Sequence, residues 1–72
     1  MRRQDVVSDA LSSVAYDQAT RCLVVYFRSR GTYGYENVPA AVYQRLLEKG
    51  ADAGLYFNTD IRNKYPTQRM TR

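Results

Sequence analysis

The sequence predicts an α+β domain in which a three-stranded antiparallel meander precedes two short helices, in the order β-β-β-α-α. In the first half of the chain, segments rich in β-branched and aromatic residues alternate with turn residues. In the second half, apolar residues recur at helical spacing. The length of 72 residues suits one domain with a thin core, since a domain this small buries only about 60% of the surface of its unfolded chain.

The three strands are predicted at Ser12–Tyr16, Arg21–Arg28 and Thr32–Val38. Between the first two, the four residues Asp17–Thr20 fit a hairpin loop built around a type I turn. Between the second and third, Ser29–Gly31 fits a three-residue loop whose last position is left-handed, where glycine is favoured. The pattern therefore predicts two consecutive hairpins.

These loop lengths predict the strand register and hence the two faces of the sheet. They give four cross-strand pairs: Val14–Leu23, Val25–Tyr35, Tyr26–Gly34 and Phe27–Tyr33. One face then collects the large apolar residues that the helices must cover, namely Val14, Tyr16, Leu23, Val25, Phe27, Tyr33 and Tyr35. On the other, open face, Tyr26 is expected to lie across Gly34 and to offset the weakness of a glycine in a strand. A two-residue loop, Arg30-Gly31, is the alternative, and it would place Arg28 beside Tyr33.

The first helix is predicted to begin at Pro39 and to end at Gly50. Proline is tolerated in the first turn of a helix, and glycine is common just beyond the last. Between these two residues, apolar side chains recur at helical spacing, at Val42, Tyr43, Leu46 and Leu47.

The second helix is predicted after a loop over Ala51–Gly54, because Phe57, Ile61 and Tyr65 are four residues apart. The residues available to cap and end it are Asn58, Thr59 or Asp60 at its start and Pro66 at its end. No periodicity extends into either terminus. The expected organisation is a flexible segment over residues 1–11, a folded domain over 12–65 and a flexible tail over 66–72.

Several classes of function are disfavoured by the composition. A lone Cys22 cannot form an internal disulfide, and the absence of histidine removes the commonest catalytic base and a frequent zinc ligand. We expect no enzymatic activity, no metal or other cofactor and no small-molecule substrate, because neither paired carboxylates nor a glycine-rich phosphate loop is present. No apolar run approaches a membrane span, and the acidic residues near the start disfavour a signal peptide, so a cytoplasmic location is expected.

The formal net charge of +4 comes with nine arginines and two lysines. Arginine favours bidentate contacts to phosphate and stacking on planar groups, which suits a nucleic-acid partner. A modest positive charge can also serve solubility alone, so the charge does not decide between a nucleic-acid partner and a role in solubility.

An ordered set of segments resembles the KTSC domain, which is named for the C-terminal region of certain lysyl-tRNA synthetases. The matching segments, spread over Ser12–Tyr65, are "AYD", "LVVYF", "GTYGYENVP", "VYQRLL" and "GLYFNTDIRNKY", with the YxY signature at Tyr33-Gly34-Tyr35. Members of the family occur as appendages of synthetases and as free single domains, and this chain resembles the free form. RNA binding has been proposed for the family because some of its members are attached to synthetases. The resemblance therefore implies RNA binding.

RNA binding is the first functional hypothesis. Basic side chains would hold phosphates while an aromatic ring stacks on a base. Tyr26 and Arg28 on the open face, with Arg30 at the hairpin tip, form the best contiguous set. Tyr33 and Tyr35 are expected in the core, with hydroxyls that can reach its rim. Arg62 and Lys64 near the second helix form another candidate patch, unless they only offset the negative end of that helix.

Protein interaction is the second hypothesis, from a different class. The open face carries the mildly apolar residues Ala15, Cys22, Val24 and Tyr26, and an uncovered apolar face is often an interface. A partner, or a second copy of the chain, could bind this face or pair with an exposed edge of the sheet.

Overall fold

The computed structural model describes residues 2–6 and 11–70. Its strands are β1 (Arg2–Asp5), β2 (Leu11–Asp17), β3 (Cys22–Phe27), β4 (Gly31–Tyr35) and β5 (Thr67–Arg69). Its helices are α1 (Ala40–Glu48) and α2 (Ala53–Asp60), joined through a 3₁₀ turn at Gly50–Asp52. All strands belong to one antiparallel sheet in the order β1-β2-β3-β4-β5, so the predicted α+β class is confirmed.

Among the described residues the sheet has five strands, and the prediction of three is therefore only partly correct. The predicted meander forms its centre as β2, β3 and β4, but each end of the chain adds an edge strand. The sequences of these edge strands, RRQD and TQR, contain no apolar residue and so lack the alternation that marks a strand with a buried face. Short polar edge strands discourage pairing with other chains. Residues 1, 7–10 and 71–72 of the two predicted terminal segments lie outside the described residues.

The predicted cross-strand pairs are wrong, because both hairpins are displaced from the expected register by two residues. Their loops are residues 18–21, with Arg21 left-handed at φ 58°, and 28–30, followed by Gly31 at φ 96°. Tyr33 lies opposite Val25, not opposite Phe27 or Arg28. The other observed pairs include Val14–Val25, Tyr16–Leu23, Leu23–Tyr35 and Val24–Gly34.

The predicted division into faces nevertheless holds, because side chains alternate with a period of two and a shift of two residues conserves every face. The helices cover the predicted apolar face. The buried cluster combines residues of the sheet, of α1 and α2 and of the segments that join them: Val6, Leu11, Val14, Leu23, Val25, Tyr35, Val38, Leu46, Ala53, Phe57 and Ile61.

The first helix follows its prediction closely, whereas the second begins earlier than expected. Pro39 immediately precedes α1, and Gly50 adopts a left-handed φ of 57° just beyond its end. The 3₁₀ turn then leads directly into α2, whose first residue, Ala53, is fully buried. The predicted loop over 51–54 is therefore replaced by the 3₁₀ turn and the start of α2, and the predicted caps at Asn58, Thr59 and Asp60 lie in its second half.

The second face of the sheet is more closed than expected. Ala15 and Val24 in its centre are each only 2% exposed. Gly34 is covered by Met70 rather than by Tyr26, because an ideal Cβ on Gly34 would lie 3.0 Å from the Met70 Sδ. Tyr26 pairs instead with Thr32.

Candidate functional site

A shallow cleft lies between the β3–β4 hairpin and one side of α2 with the turn that follows this helix. It consists of two adjoining cavities of about 230 and 220 Å³. Four residues line both of them: Phe27, Arg30, Phe57 and Arg62. The first cavity is completed by Tyr33, Tyr35, Asn63 and Thr67, and the second by Ser29, Gly54 and Asn58.

The aromatic wall of the cleft is a continuous series of edge-to-face ring contacts. Phe27 contacts Tyr33 at a centroid distance of 5.5 Å and Phe57 at 5.3 Å. Phe57 in turn contacts Tyr35 at 5.3 Å. Such contacts stabilise the rings beyond the burial of their area, so the wall is held by packing before any ligand arrives.

Two arginines stand at the wall that the cavities share, and both are exposed. Arg30 is the last loop residue before Gly31, whose left-handed conformation turns the chain back into β4. Arg62 is held at the end of α2 by its backbone N–H, which donates to the Phe57 carbonyl at 2.9 Å. Residues far apart in the sequence thus supply both guanidinium groups of one cleft.

The pKa of the Tyr35 phenol depends on burial and on the charges around the cleft. Burial raises the pKa of Tyr35 above its ordinary value of 10.0, and the neighbouring Tyr33 adds to the rise. The positive charges of Arg62 and Arg30 act in the opposite direction on the same pKa. Near neutral pH the phenol is therefore a protonated hydrogen-bond donor close to two cations, an environment suited to an anion.

The structure brings four of the residues predicted from the sequence together in this cleft: Arg30, Tyr33, Tyr35 and Arg62. Lys64 is exposed in the turn after α2 and does not line either cavity. Sequence reasoning missed the polar residues of the cleft. No local sequence pattern marks Asn58 and Asn63 as binding residues. Thr67 lines the first cavity only because β5 pairs it with Tyr35.

The other predicted residues, Tyr26 and Arg28, do not line the cleft. The Arg3 guanidinium lies 4.1 Å from the centroid of the Tyr26 ring, and its Nε donates a hydrogen bond to the Ser13 hydroxyl. One face of the Tyr26 ring is thereby covered by a side chain of β1. Arg28 is exposed in the hairpin loop.

A third cavity, of about 330 Å³, lies beside β2 and α1. Its wall includes Tyr16 and Tyr43, whose rings stack at 5.0 Å with an interplanar angle of 14°. The remaining lining residues are Gln4, Asp17, Gln18, Ala40 and Gln44, so no cation lines this cavity. It is therefore less suited to an anionic ligand than the cleft.

Two further features of the described residues concern a thiol and possible metal ligands. Burial, followed by the charges of Glu36 and Asp17, raises the pKa of Cys22 above its ordinary value of 9.0, which keeps the thiol protonated and unreactive near neutral pH. Residues 2–6 and 11–70 contain no group of three or more Cys, Asp or Glu that could hold a metal ion. Within the same ranges, neither helix has the length and apolar character needed to cross a membrane.

Comparison with known proteins gives a consistent result. The KTSC domain family model matches residues 7–65. An uncharacterized protein of Stutzerimonas stutzeri (strain A1501) is 44% identical over 59 residues, which cover 81% of this chain and 80% of that protein. The crystal structure of a KTSC domain protein from Yersinia pestis superposes with a TM-score of 0.91 at 31% identity, covering 97% of each chain.

Proposed function

The chain belongs to the KTSC domain family, and from this premise we propose that it is a non-enzymatic module that binds single-stranded RNA in the cleft between the β3–β4 hairpin and α2. One observation carries the proposal. Arg30 and Arg62 line the same cavity as the aromatic wall that includes Tyr33, which combines phosphate-binding and base-stacking groups in one place.

The aromatic residues divide their roles between packing and contact. Tyr35 is 4% exposed and supports the wall from within the core. Phe27 and Tyr33 are only half-buried, so part of each ring remains available to a base. Stacking of one base on an aromatic side chain is worth about 1–3 kcal/mol, which is enough to matter in a small interface.

The dimensions of the cleft favour single strands over duplexes. Cavities of about 220–230 Å³ can admit unstacked bases but not a base-paired helix. Each arginine can make a bidentate contact to a phosphate, and phosphate contacts supply a large share of the affinity of nucleic-acid-binding proteins.

Protein interaction remains the alternative proposal, now with less support from the second face of the sheet. Ala15 and Val24 are almost fully buried, so they offer little area to a partner. The remaining route is strand addition at β1 or β5, which present edges of four and three residues. Such short edges give few main-chain hydrogen bonds.

An NMR titration with a single-stranded oligoribonucleotide of about ten residues, within the site sizes of small single-strand binders, tests the proposal. We expect the largest amide shifts at Arg30, Tyr33, Arg62 and Asn63. Replacing Arg30 or Arg62 by alanine should weaken binding and reduce the slope of log K against log salt by about 0.7 each.

The matched control is Arg21→Asn, which removes the same charge at the opposite end of β3. Asparagine tolerates the left-handed backbone that Arg21 adopts, so this variant should fold normally. An equal loss of affinity in Arg21→Asn would indicate diffuse charge attraction and reject the cleft. Shifts confined to Tyr26 and Arg28 would move the site to the second face. No shift with RNA, together with concentration-dependent elution in size exclusion, would favour the protein-interaction alternative.

A further inference from the structure

We infer that the cleft binds RNA as a dinucleotide step, with one base in each cavity and the connecting phosphodiester between Arg30 and Arg62. The inference rests on the proposed function and specifies the ligand unit of the same cleft. Three observations carry it: the cavities adjoin, the arginines belong to both, and each cavity has its own polar lining.

The size of the cavities sets the size of each occupant. Neither cavity reaches the volume of about 300 Å³ at which pockets for drug-sized ligands begin. Each is therefore suited to a planar fragment such as one nucleobase. Two such compartments side by side match two successive bases of a strand rather than one larger ligand.

The positions of the charges match a phosphodiester between two nucleosides. A dinucleoside monophosphate carries its single negative charge at the link between its two halves. Arg30 and Arg62 each line both cavities, so a link that passes from one cavity to the other stays beside both side chains. A nucleoside monophosphate can bring its phosphate to the same arginines, but it leaves one cavity empty.

The polar linings supply a separate contact for each base. Asn63 and Thr67 line the first cavity, while Asn58 and Ser29 line the second. An asparagine amide presents both a donor and an acceptor, so it can bind the edge of an unpaired base. Tyr33 and Tyr35 line only the first cavity, so the base bound there gains the larger aromatic contact.

The experiment is an NMR titration of the full chain with ApA and UpU, each lacking terminal phosphates, and with the methyl phosphate esters of AMP and UMP, mononucleotides that carry the same single negative charge. We expect at least one dinucleoside monophosphate to bind about tenfold more tightly than the matching mononucleotide, the gain expected from a second stacked base. Amides of both linings, at Asn58 and at Asn63, should shift with the dinucleotide, whereas a mononucleotide should shift one lining only.

Variants on α2 give the matched comparison. Asn58→Ala should weaken the dinucleotide severalfold and affect the mononucleotide much less, because a single base gains its larger aromatic contact in the first cavity, which Asn58 does not line. Thr59→Ala, one residue further along the same helix, lines neither cavity and should change neither affinity.

Equal affinities for dinucleotide and mononucleotide would overturn the inference, and so would binding of the longer oligoribonucleotide at the cleft without detectable binding of either dinucleotide. In both cases the proposed function would stand. Failure of the longer oligoribonucleotide itself to bind would instead reject the proposed function, so the two failures are distinguishable.

Discussion

Gly34 stands between Tyr33 and Tyr35 in β4, and the structure predicts that space, not backbone conformation, is what requires a glycine there. Gly34 does not adopt a positive φ, unlike Gly31 and Gly50. A Cβ at this position would lie 3.0 Å from the Met70 Sδ but 3.6 Å from the Cys22 Sγ, which is ordinary contact. Met70 is therefore the side chain that Gly34→Ala would displace.

The expected magnitudes follow from two opposing effects. Alanine in place of glycine at a compatible backbone position stabilises a protein by about 0.4–1 kcal/mol, because it reduces the freedom of the unfolded chain. Full burial of a methionine side chain is worth about 1.5–3 kcal/mol, and Met70 is 46% exposed, so its displacement costs up to about half of that. Gly34→Ala alone should thus be neutral or destabilising by up to about 1 kcal/mol.

A double-mutant cycle separates the two effects. In a Met70→Ala background the clash is absent, so Gly34→Ala should raise the free energy of unfolding by about 0.4–1 kcal/mol. Urea denaturation of the four proteins measures the coupling, which should be about 1 kcal/mol. The same effect of Gly34→Ala in both backgrounds would refute Met70 as the reason for the glycine.

Further predictions concern the tyrosines. Tyr35→Ala should lower the free energy of unfolding by about 3–5 kcal/mol, close to the whole stability of so small a domain, because it removes a buried ring in contact with Phe57. Tyr26→Ala should stay folded and lower the free energy of unfolding by about 1 kcal/mol, mainly because the contact with Arg3 is lost. Urea denaturation measures both variants, and equal losses would contradict this difference. Stability should also fall as the pH rises above 10, because burial raises the pKa of Tyr35 and Tyr43 above their ordinary 10.0 and the unfolded chain loses these protons first. Tyr35→Phe should reduce this alkaline loss, and an unchanged slope of unfolding free energy against pH would show that Tyr35 does not contribute to it.

The central part of the fold could be predicted because its signals are local. Segments rich in β-branched and aromatic residues identified β2, β3 and β4, and turn residues placed both hairpins. The register could not be fixed, because the first turn begins one residue later and the second one residue earlier than the turn residues suggest, and a shift of two residues satisfies the same alternation. The edge strands were missed because pairing with β2 and β4, and not their own sequence, makes them strands.

The second helix shows a different limit. The apolar spacing of Phe57 and Ile61 indicates a helix in this part of the chain, but the spacing of two buried residues does not say on which side of them the helix extends. Burial of Ala53 draws the helix towards the N-terminal side, while the turn after Asp60 takes the place of the predicted last helical turn. This choice depends on packing against the sheet, which is a tertiary effect.

That displacement of α2 is also what creates the candidate site. Because the helix ends at Asp60, Arg62 falls in a turn fixed by the Phe57 carbonyl, where it faces the same cavities as Arg30. A helix continued to Tyr65, as the sequence suggests, would have carried Arg62 on a regular helical surface without that fixed turn. The sequence could therefore identify both arginines as candidates, since residue type is local information. Arg30 and Arg62 line the same cavities because α2 ends at Asp60. The position of this helix end depends on how α2 packs on the core.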